Sequence, residues 1–408
     1  MLKSKKINVV VLLTFVVITM WLILFSDAKY SVTEEWVVQN KYPDTANTVT
    51  FKQQVISLIP DNASADSTVF FILGNEGNAT QEKLIAFYEA YGSPKDVIFI
   101  TAEHRGYGES VTDESQNIPD YVSASNAILD FKRVIEDKRT QYKGKWIVAG
   151  YSYGGALAIA YAQQFPETFD VALSSSGPIN WPFYIPEYTE KVHENLSPEF
   201  ISRLSKHGQN LLLDNVNSET EKRIELLNGV VAGLSQYKSQ QIMSPVISSL
   251  SHLSTGTFFN SLETIMPAPA FNWVIARTSN EAPTEPTVRG WYTWMYQQCN
   301  ELGTFFVEAP FTYTKQNHID KCEQNFKNKP KYLTRDKWDL AAKLSQIKKP
   351  IVVVSGGKDP WINLGVKPNH NFSNIQYLYS DDWFHCPDVF NPEAGKLTFE
   401  LLMKNIEG

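Results

Sequence analysis

Gly150-Tyr151-Ser152-Tyr153-Gly154 constrains this chain more than any other stretch. The run Lys145 to Ala149 before it reads as a short buried strand, and Gly155 to Phe165 behind it reads as an Ala-rich helix. A G-x-S-x-G between a strand and a helix is a nucleophile elbow, whose turn lifts the serine hydroxyl to the top of a sheet. The N-terminus of the following helix then lies beneath it. Small residues flank the serine because the backbone is tight there. A bare pentapeptide of this kind is compatible with an ordinary Gly-rich turn; the two flanks favour a catalytic serine.

A chain of 408 residues holds one large α/β domain with an insertion, or two domains. Its net charge of −7, without basic clusters beyond the first few residues, argues against nucleic acid as a partner. Met1 to Lys6 carries three lysines and is followed by an apolar run from Ile7 to Phe25. That order predicts export, with Ser26-Asp27-Ala28 as a cleavage site. The alternatives are a retained membrane tether through residues 7–25, long enough to span a bilayer, and a buried core helix. Sequons at Asn62, Asn78, Asn195 and Asn371 are glycosylation acceptors only in a eukaryotic secretory route. The three cysteines form no CxxC, and no Cys/His cluster has zinc spacing, so no metal site is expected.

Short apolar runs alternate with helical patterns up to Pro178. The strands are Thr68 to Leu73, Asp96 to Thr101, Trp146 to Ala149 and Val171 to Ser174, preceded by a hairpin of Trp36 to Gln39 with Val49 to Leu58. Gln81 to Tyr91 and Tyr121 to Asp137 read as helices. This is the pattern of an α/β fold, a mostly parallel sheet with helices on both faces. From Trp181 to about Lys343 the patterns are helical, with helices over Ser197 to Gly208, Ser218 to Tyr237 and Gln240 to Leu253. The sheet resumes at Pro350 to Ser355 and Ile375 to Tyr379, and a helix from Pro392 closes the chain. About 160 residues between two strands are too many for a loop and predict a folded cap over the serine. The expected division is 1–28 signal or anchor, 29–180 first part of the sheet domain, 181–343 helical cap, and 344–408 second part.

A serine nucleophile needs a general base, and the base an orienting carboxylate, in the order Ser, acid, His in this architecture. His385 follows the last strand and precedes the last helix, which suits the base. His193, His207 and His252 fall in the cap, His318 and His370 in polar loops, and His104 precedes the serine. Asp359 follows the strand 350–355 after two glycines and suits the acid; Asp381, Asp382 and Asp388 compete with it. Two N–H donors must receive an oxyanion. The backbone of Tyr153 supplies one, and Asn75 of Gly74-Asn75-Glu76-Gly77 is the first choice for the other, Glu76 the next.

These residues sit in longer motifs that resemble the prolyl carboxypeptidase/dipeptidyl peptidase II family of serine peptidases, an α/β-hydrolase family. The similarity is carried by Phe70-Phe71-x-x-Gly74-Asn75-Glu76-Gly77, by Glu103 to Ser110, by Gly150 to Gly155 and by Ser174 to Pro178. Trp294-x-x-Gln297-x-Cys299-x-Glu301-x-Gly303, Asp359-Pro360-Trp361 and His385-Cys386-x-Asp388 extend it along the chain. The resemblance implies an α/β-hydrolase domain with a helical cap, no cofactor, and a secreted, periplasmic or lysosome-like location. It implies cleavage of short peptides next to proline, at either terminus. It also implies a Cys299–Cys322 disulfide and a triad of Ser152, Asp359 and His385. Gly106 departs from the family, which has a larger residue there, as do the bulky residues before His385.

The expected function is an exported serine exopeptidase releasing N-terminal di- or tripeptides at proline or small residues. Carboxylates near the motif loops, Glu76 and Glu301, are candidates to pair an α-ammonium. Trp361, Trp294 and the Tyr153 ring are candidates to line a proline pocket, with core packing as the competing role. His104 with Glu103 and Arg105 is expected to form a buried ion-pair and hydrogen-bond network supporting the elbow. The alternatives are a C-terminal Pro-Xaa carboxypeptidase, a carboxylesterase or lipase, and a non-catalytic binding protein of the same fold.

Overall fold

A computed structural model describes residues 30–43, 49–111, 121–213, 217–237, 240–266, 268–326, 340–367 and 372–407. The expected export segment, His370 and the Asn371 sequon lie outside these residues. Among the described residues no helix is long and apolar enough to cross a membrane.

Eight strands form one sheet in the order β1-β2-β4-β3-β5-β6-β7-β8. The strands are β1 (Tyr30–Asn40), β2 (Thr50–Pro60), β3 (Thr68–Leu73), β4 (Val97–Ala102), β5 (Trp146–Tyr151), β6 (Val171–Ser175), β7 (Ile351–Gly356) and β8 (Ile375–Ser380). β1 pairs antiparallel with β2 along its whole length, and β2 pairs antiparallel with β4. From β4 to β8 every pairing is parallel. The central strands are apolar throughout because both faces are covered. In β3, Val69, Phe71 and Leu73 enter one core, while Phe70 and Ile72 enter the core on the other face.

Helices α1 (Gln81–Ala90), α2 (Ala124–Gln141) and α3 (Tyr153–Gln164) connect the first parallel strands. α2 starts three residues later than its apolar spacing predicts, because Ser123 caps it, its hydroxyl accepting the Asn126 N–H at 3.2 Å. Between β6 and β7 most of the described residues are helical. They form α4 (Pro186–Asn195), α5 (Pro198–Leu213), α6 (Ser218–Gln236), α7 (Gln240–Leu250), α8 (Thr255–Ile265), α9 (Ala268–Thr278), α10 (Pro286–Gln297) and α11 (Lys315–Phe326). This cap has a core of its own, in which Tyr188, Leu204, Leu227, Val231, Phe258 and Leu262 meet. Cys299 and Cys322 form a disulfide that ties the segment after α10 to α11. Leu340 of α12 (Leu340–Lys343) and Leu344 pack in the core shared by the sheet and α3, so the chain has rejoined the sheet layer by residue 340. α13 (Pro387–Phe390) and α14 (Pro392–Glu407) complete the fold.

The loop after β4 is anchored from beneath by one buried ion pair. Arg105 donates two parallel hydrogen bonds to Asp130 of α2, Nε to Oδ2 at 2.7 Å and Nη2 to Oδ1 at 2.6 Å. Its remaining N–H groups reach the carbonyls of Asn40, Lys41 and Tyr121. Arg105 therefore pairs with Asp130 rather than with Glu103, whose carboxylate accepts backbone N–H groups of Ala79, Glu109 and Ser110. Of the network expected of Glu103, His104 and Arg105 the buried hydrogen bonds are present, His104 reaching Tyr153 of the elbow, but the ion pair is made with Asp130. Gly106 has φ 82°, and a Cβ there would run into the Val122 side chain, which explains the glycine at this position. Removing one partner of a buried pair leaves an uncompensated charge. Arg105→Ala should lower unfolding free energy by about 3–5 kcal/mol, read from urea or guanidinium melts.

Candidate active site

β5 ends at Tyr151 and α3 begins at Tyr153, so a single residue makes the turn. Ser152 has φ 54° and ψ −125°, a conformation that costs a non-glycine residue about 1–3 kcal/mol. It is held by its surroundings. The Ser152 N–H donates to the Ser175 carbonyl of β6 at 2.9 Å. A Cβ at Gly155 would lie 2.8 Å from Gly177 Cα and 2.9 Å from the Ser175 carbonyl, so only glycine lets α3 approach β6 this closely.

The acid and base loops meet beside this turn. Asp359 follows β7, and its Oδ1 accepts the Trp361 N–H at 2.9 Å. Its Oδ2 lies 2.9 Å from His385 Nδ1, and both residues are buried. A proton on Nδ1, donated to Asp359, leaves Nε2 as an acceptor. Burial pushes the imidazole pKa down, but the Asp359 carboxylate and, after it, Cys386 together more than offset this and hold it well above the usual 6.5. Asp381 instead accepts the Tyr379 hydroxyl, and Asp382 pairs with Lys358. Asp388 is buried under the base loop, where it accepts the hydroxyls of Tyr91 at 2.6 Å and of Ser175. Cys386, a free buried thiol, donates its N–H to the Ser176 hydroxyl at 2.9 Å. From the cap side, the Gln236 carbonyl at the end of α6 accepts the His385 N–H at 3.0 Å, and the Tyr237 ring stands edge-on to the imidazole at 6.1 Å.

Among the described residues Ser152 and His385 share no hydrogen bond; the Ser152 side chain lies close enough to the Glu76 carboxyl to pull its pKa down. Catalytic hydrogen bonds are often loose without substrate and tighten when it binds. Burial raises the Glu76 pKa above 4.5, against the lowering pull of its own backbone N–H, Ser152, His385 and Lys83. Glu76 Oε2 is buried without a hydrogen-bond partner among the described residues. Asn75 packs against Gly154 of the elbow, and its side chain lines a neighbouring cavity with Lys83. Among the described residues, neither the Tyr153 nor the Asn75 N–H is paired with an acceptor.

Ser152 opens into a cavity of about 320 Å³ between sheet and cap. Trp181, Trp273, Trp291, Trp294 and Trp361 line it, together with Tyr153, Tyr237 and Phe306. Among the described residues Glu76 is the one carboxylate on this wall, and no Lys, Arg or His lines it. Of the candidates named from sequence, Glu76, Trp294, Trp361 and Tyr153 therefore come together around Ser152. Glu301 does not: both its oxygens accept the Ala124 N–H at the start of α2, at 3.0 Å, and it takes a bond from Gln297. A carboxylate at a helix N-terminus is stabilised there by the free N–H groups and the dipole. His104 lies behind the elbow. Its Nε2 accepts the Tyr153 hydroxyl at 3.1 Å while Nδ1 donates to the Arg105 carbonyl, and burial drops its pKa to about 3, so it stays neutral. Gln297 of α10 donates to the same Tyr153 oxygen at 3.2 Å, bridging cap and elbow.

Sequence reasoning missed Trp181, Trp273 and Trp291, as well as Gln297. Trp291 and Trp294 stand three apart on one helix face, a signal that was available. Nothing in the local sequence marks Trp273, which reaches the cavity only through the packing of α9 on α6.

Strand order, a serine on the turn after β5, an acid after β7 and a histidine after β8 define an α/β-hydrolase. The chain belongs to the serine carboxypeptidase S28 family, whose model matches residues 43–207 and 235–403. It is 33% identical over 154 residues to the lysosomal Pro-X carboxypeptidase of Bos taurus, a match covering 33% of this chain and 29% of that protein. A putative serine protease of Caenorhabditis elegans is 33% identical over 101 residues, 23% of this chain and 20% of the relative. The thymus-specific serine protease of Mus musculus is 23% identical over 400 residues, 79% of this chain and 76% of the relative. The first two matches thus span less than a third of those relatives' length.

The electrostatics around His385 are directly measurable. Nitrogen-15 NMR of the labelled imidazole should show it titrating well above 6.5. Glu76 and His385 act on each other's charge, so removing the carboxylate destabilises the imidazolium. Glu76→Gln should therefore move the His385 titration to lower pH, and an unmoved curve would place Glu76 outside its field.

Proposed function

We propose that the protein is a serine exopeptidase that releases N-terminal di- or tripeptides, acting after proline or a small residue. Ser152 attacks the scissile carbonyl, and His385 Nε2 takes its proton and later delivers it to the leaving amine. Asp359 holds the imidazole with Nδ1 protonated and stabilises the imidazolium. The N–H groups of Tyr153 and Asn75 receive the oxyanion. An acyl-enzyme forms on Ser152 and water resolves it.

The observation that carries the direction of cleavage is Glu76. Among the described residues it places one carboxylate, with an unpaired buried oxygen, on the wall of an otherwise uncharged cavity rich in aromatic rings, at Ser152. A free α-ammonium is the substrate group that complements it, and rings around it add cation–π attraction. Proline fits flat aromatic walls and needs no partner for a backbone N–H. Family membership and the relatives' names support peptide cleavage near proline. The Cys299–Cys322 disulfide and the lysosomal relatives support an exported or lysosome-like location.

One observation favours a second reading. Lys83 lines the neighbouring cavity, and an ammonium there would suit a substrate's C-terminal carboxylate, as in a Pro-X carboxypeptidase. Its Nζ is already engaged by Asn78, at 2.7 Å to the carbonyl and 2.8 Å to Oδ1.

Chromogenic amides separate the two. Ala-Pro-p-nitroanilide should exceed its N-acetylated form in kcat/KM by about 10–100-fold, the worth of one charge-assisted hydrogen bond. Glu76→Gln should remove most of that preference, mainly through KM. Faster cleavage of N-blocked Pro-Phe with release of phenylalanine would establish the carboxypeptidase reading instead. Ester hydrolysis without any amide cleavage would point to a carboxylesterase. Ser152→Ala should cost at least ~10³-fold in kcat on whichever substrate is cleaved.

A further inference from the structure

One face of α6 forms a wall of the cavity over Ser152. Leu226, Gly229, Val230, Gly233 and Gln236 line it, at the three- and four-residue spacing that puts side chains on one stripe. The opposite stripe, with Ile224, Leu227, Val231 and Leu234, is buried in the cap core. The end of this helix is pinned at the site: the Gln236 carbonyl accepts the His385 N–H at 3.0 Å, and Gln236 Oε1 accepts the Trp361 Nε1–H at 3.2 Å. From there the helix recedes by ~1.5 Å per residue, which places Gly233 about 4.5 Å and Gly229 about 10 Å along the wall. An extended peptide advances ~3.4 Å per residue. With Gln236 taken as level with the residue before the scissile bond, Gly233 lies level with the second residue on the acyl side, and Gly229 with the fourth.

The two glycines differ in what faces them. A Cβ at Gly229 would meet the Trp273 ring at 3.1 Å, so the wall is already covered at that level. A Cβ at Gly233 would meet nothing within 4 Å. Glycine inside a helix costs about 1 kcal/mol relative to alanine, and at Gly233 no neighbouring atom requires it. The space it leaves belongs to the cavity.

We propose that Gly233 sets the depth of acyl group the site accepts, by leaving room for a substrate's second residue before the scissile bond. A side chain at this position would occupy that room and turn the site towards acyl groups of one residue. The inference rests on Ser152 forming an acyl-enzyme, as proposed above.

The test is an acyl-length series on wild type, Gly233→Ala and Gly233→Leu. It uses p-nitrophenyl acetate, butyrate, hexanoate and octanoate beside Pro- and Ala-Pro-p-nitroanilide, with thermal melts of each variant. Gly233→Leu should lower the octanoate-to-acetate and Ala-Pro-to-Pro ratios of kcat/KM tenfold or more, and Gly233→Ala should shift them the same way by about threefold. The Ala variant should melt no lower than wild type, so it decides the matter if the Leu variant does not fold. Ratios unchanged in a folded variant would overturn the proposal. The ester arm reads acyl depth without peptide cleavage. Ester turnover with a shifted ratio but no amide cleavage would sink the peptidase reading and keep this one, and amide cleavage with ratios that do not shift between wild type and the folded variants would do the reverse.

Discussion

Everything at this site depends on the backbone turn at Ser152. A single non-glycine residue with φ 54° joins a buried strand to a buried helix, and the fold holds it there through close packing. The Ser152 N–H is tied to β6, and Gly155 lets α3 lie almost against Gly177. The same turn presents the hydroxyl to the cavity and leaves the Tyr153 N–H unpaired at the first position of a helix. Helix starts always leave such donors free, and this one is adjacent to Ser152.

The cap is attached to this turn by polar contacts that are few and specific. Gln297 and His104 hold the Tyr153 hydroxyl from either side, and the Gln236 carbonyl holds the His385 backbone. A shift of the cap would therefore be felt by both the nucleophile's neighbour and the base loop. Beneath the base loop, Asp388 ties α13 to Tyr91 of the α1 C-terminus and to Ser175 of β6. The cavity between these layers is aromatic because the cap supplies most of its wall, while the sheet loops supply the serine and its one carboxylate.

Much of this was legible in the sequence, for identifiable reasons. The strands β3 to β7 are short continuous apolar runs, and runs of that kind between turn residues are read easily. Ser152 and Asp359 could be placed because each comes just after such a strand, and His385 because it lies between β8 and the last helix; the structure brings Asp359 and His385 to 2.9 Å. Glu76 and Glu301 looked alike in sequence, as carboxylates in motif loops. Only tertiary packing separates them, since Glu301 caps α2 across 177 positions of chain while Glu76 reaches Ser152. Arg105 was misassigned for the same reason, its partner Asp130 lying on a helix 25 residues away. The cap was legible as helical but not as a wall. Which stripe of α6 faces the cavity, and that Trp273 reaches it, depend on how helices cross, which a single helical pattern does not encode.

The central claim is that Ser152 acts as a nucleophile on substrates whose free amino terminus is received by Glu76. The most direct measurement is covalent capture with an aryl phosphonate analogue of Ala-Pro, carrying either a free or an acetylated amino terminus, followed by peptide mass spectrometry. One adduct on the peptide containing Ser152, formed faster by the free-amine reagent in wild type but not in Glu76→Gln, is the predicted result. Adduct formation at another residue, or faster capture of the acetylated reagent, would contradict it.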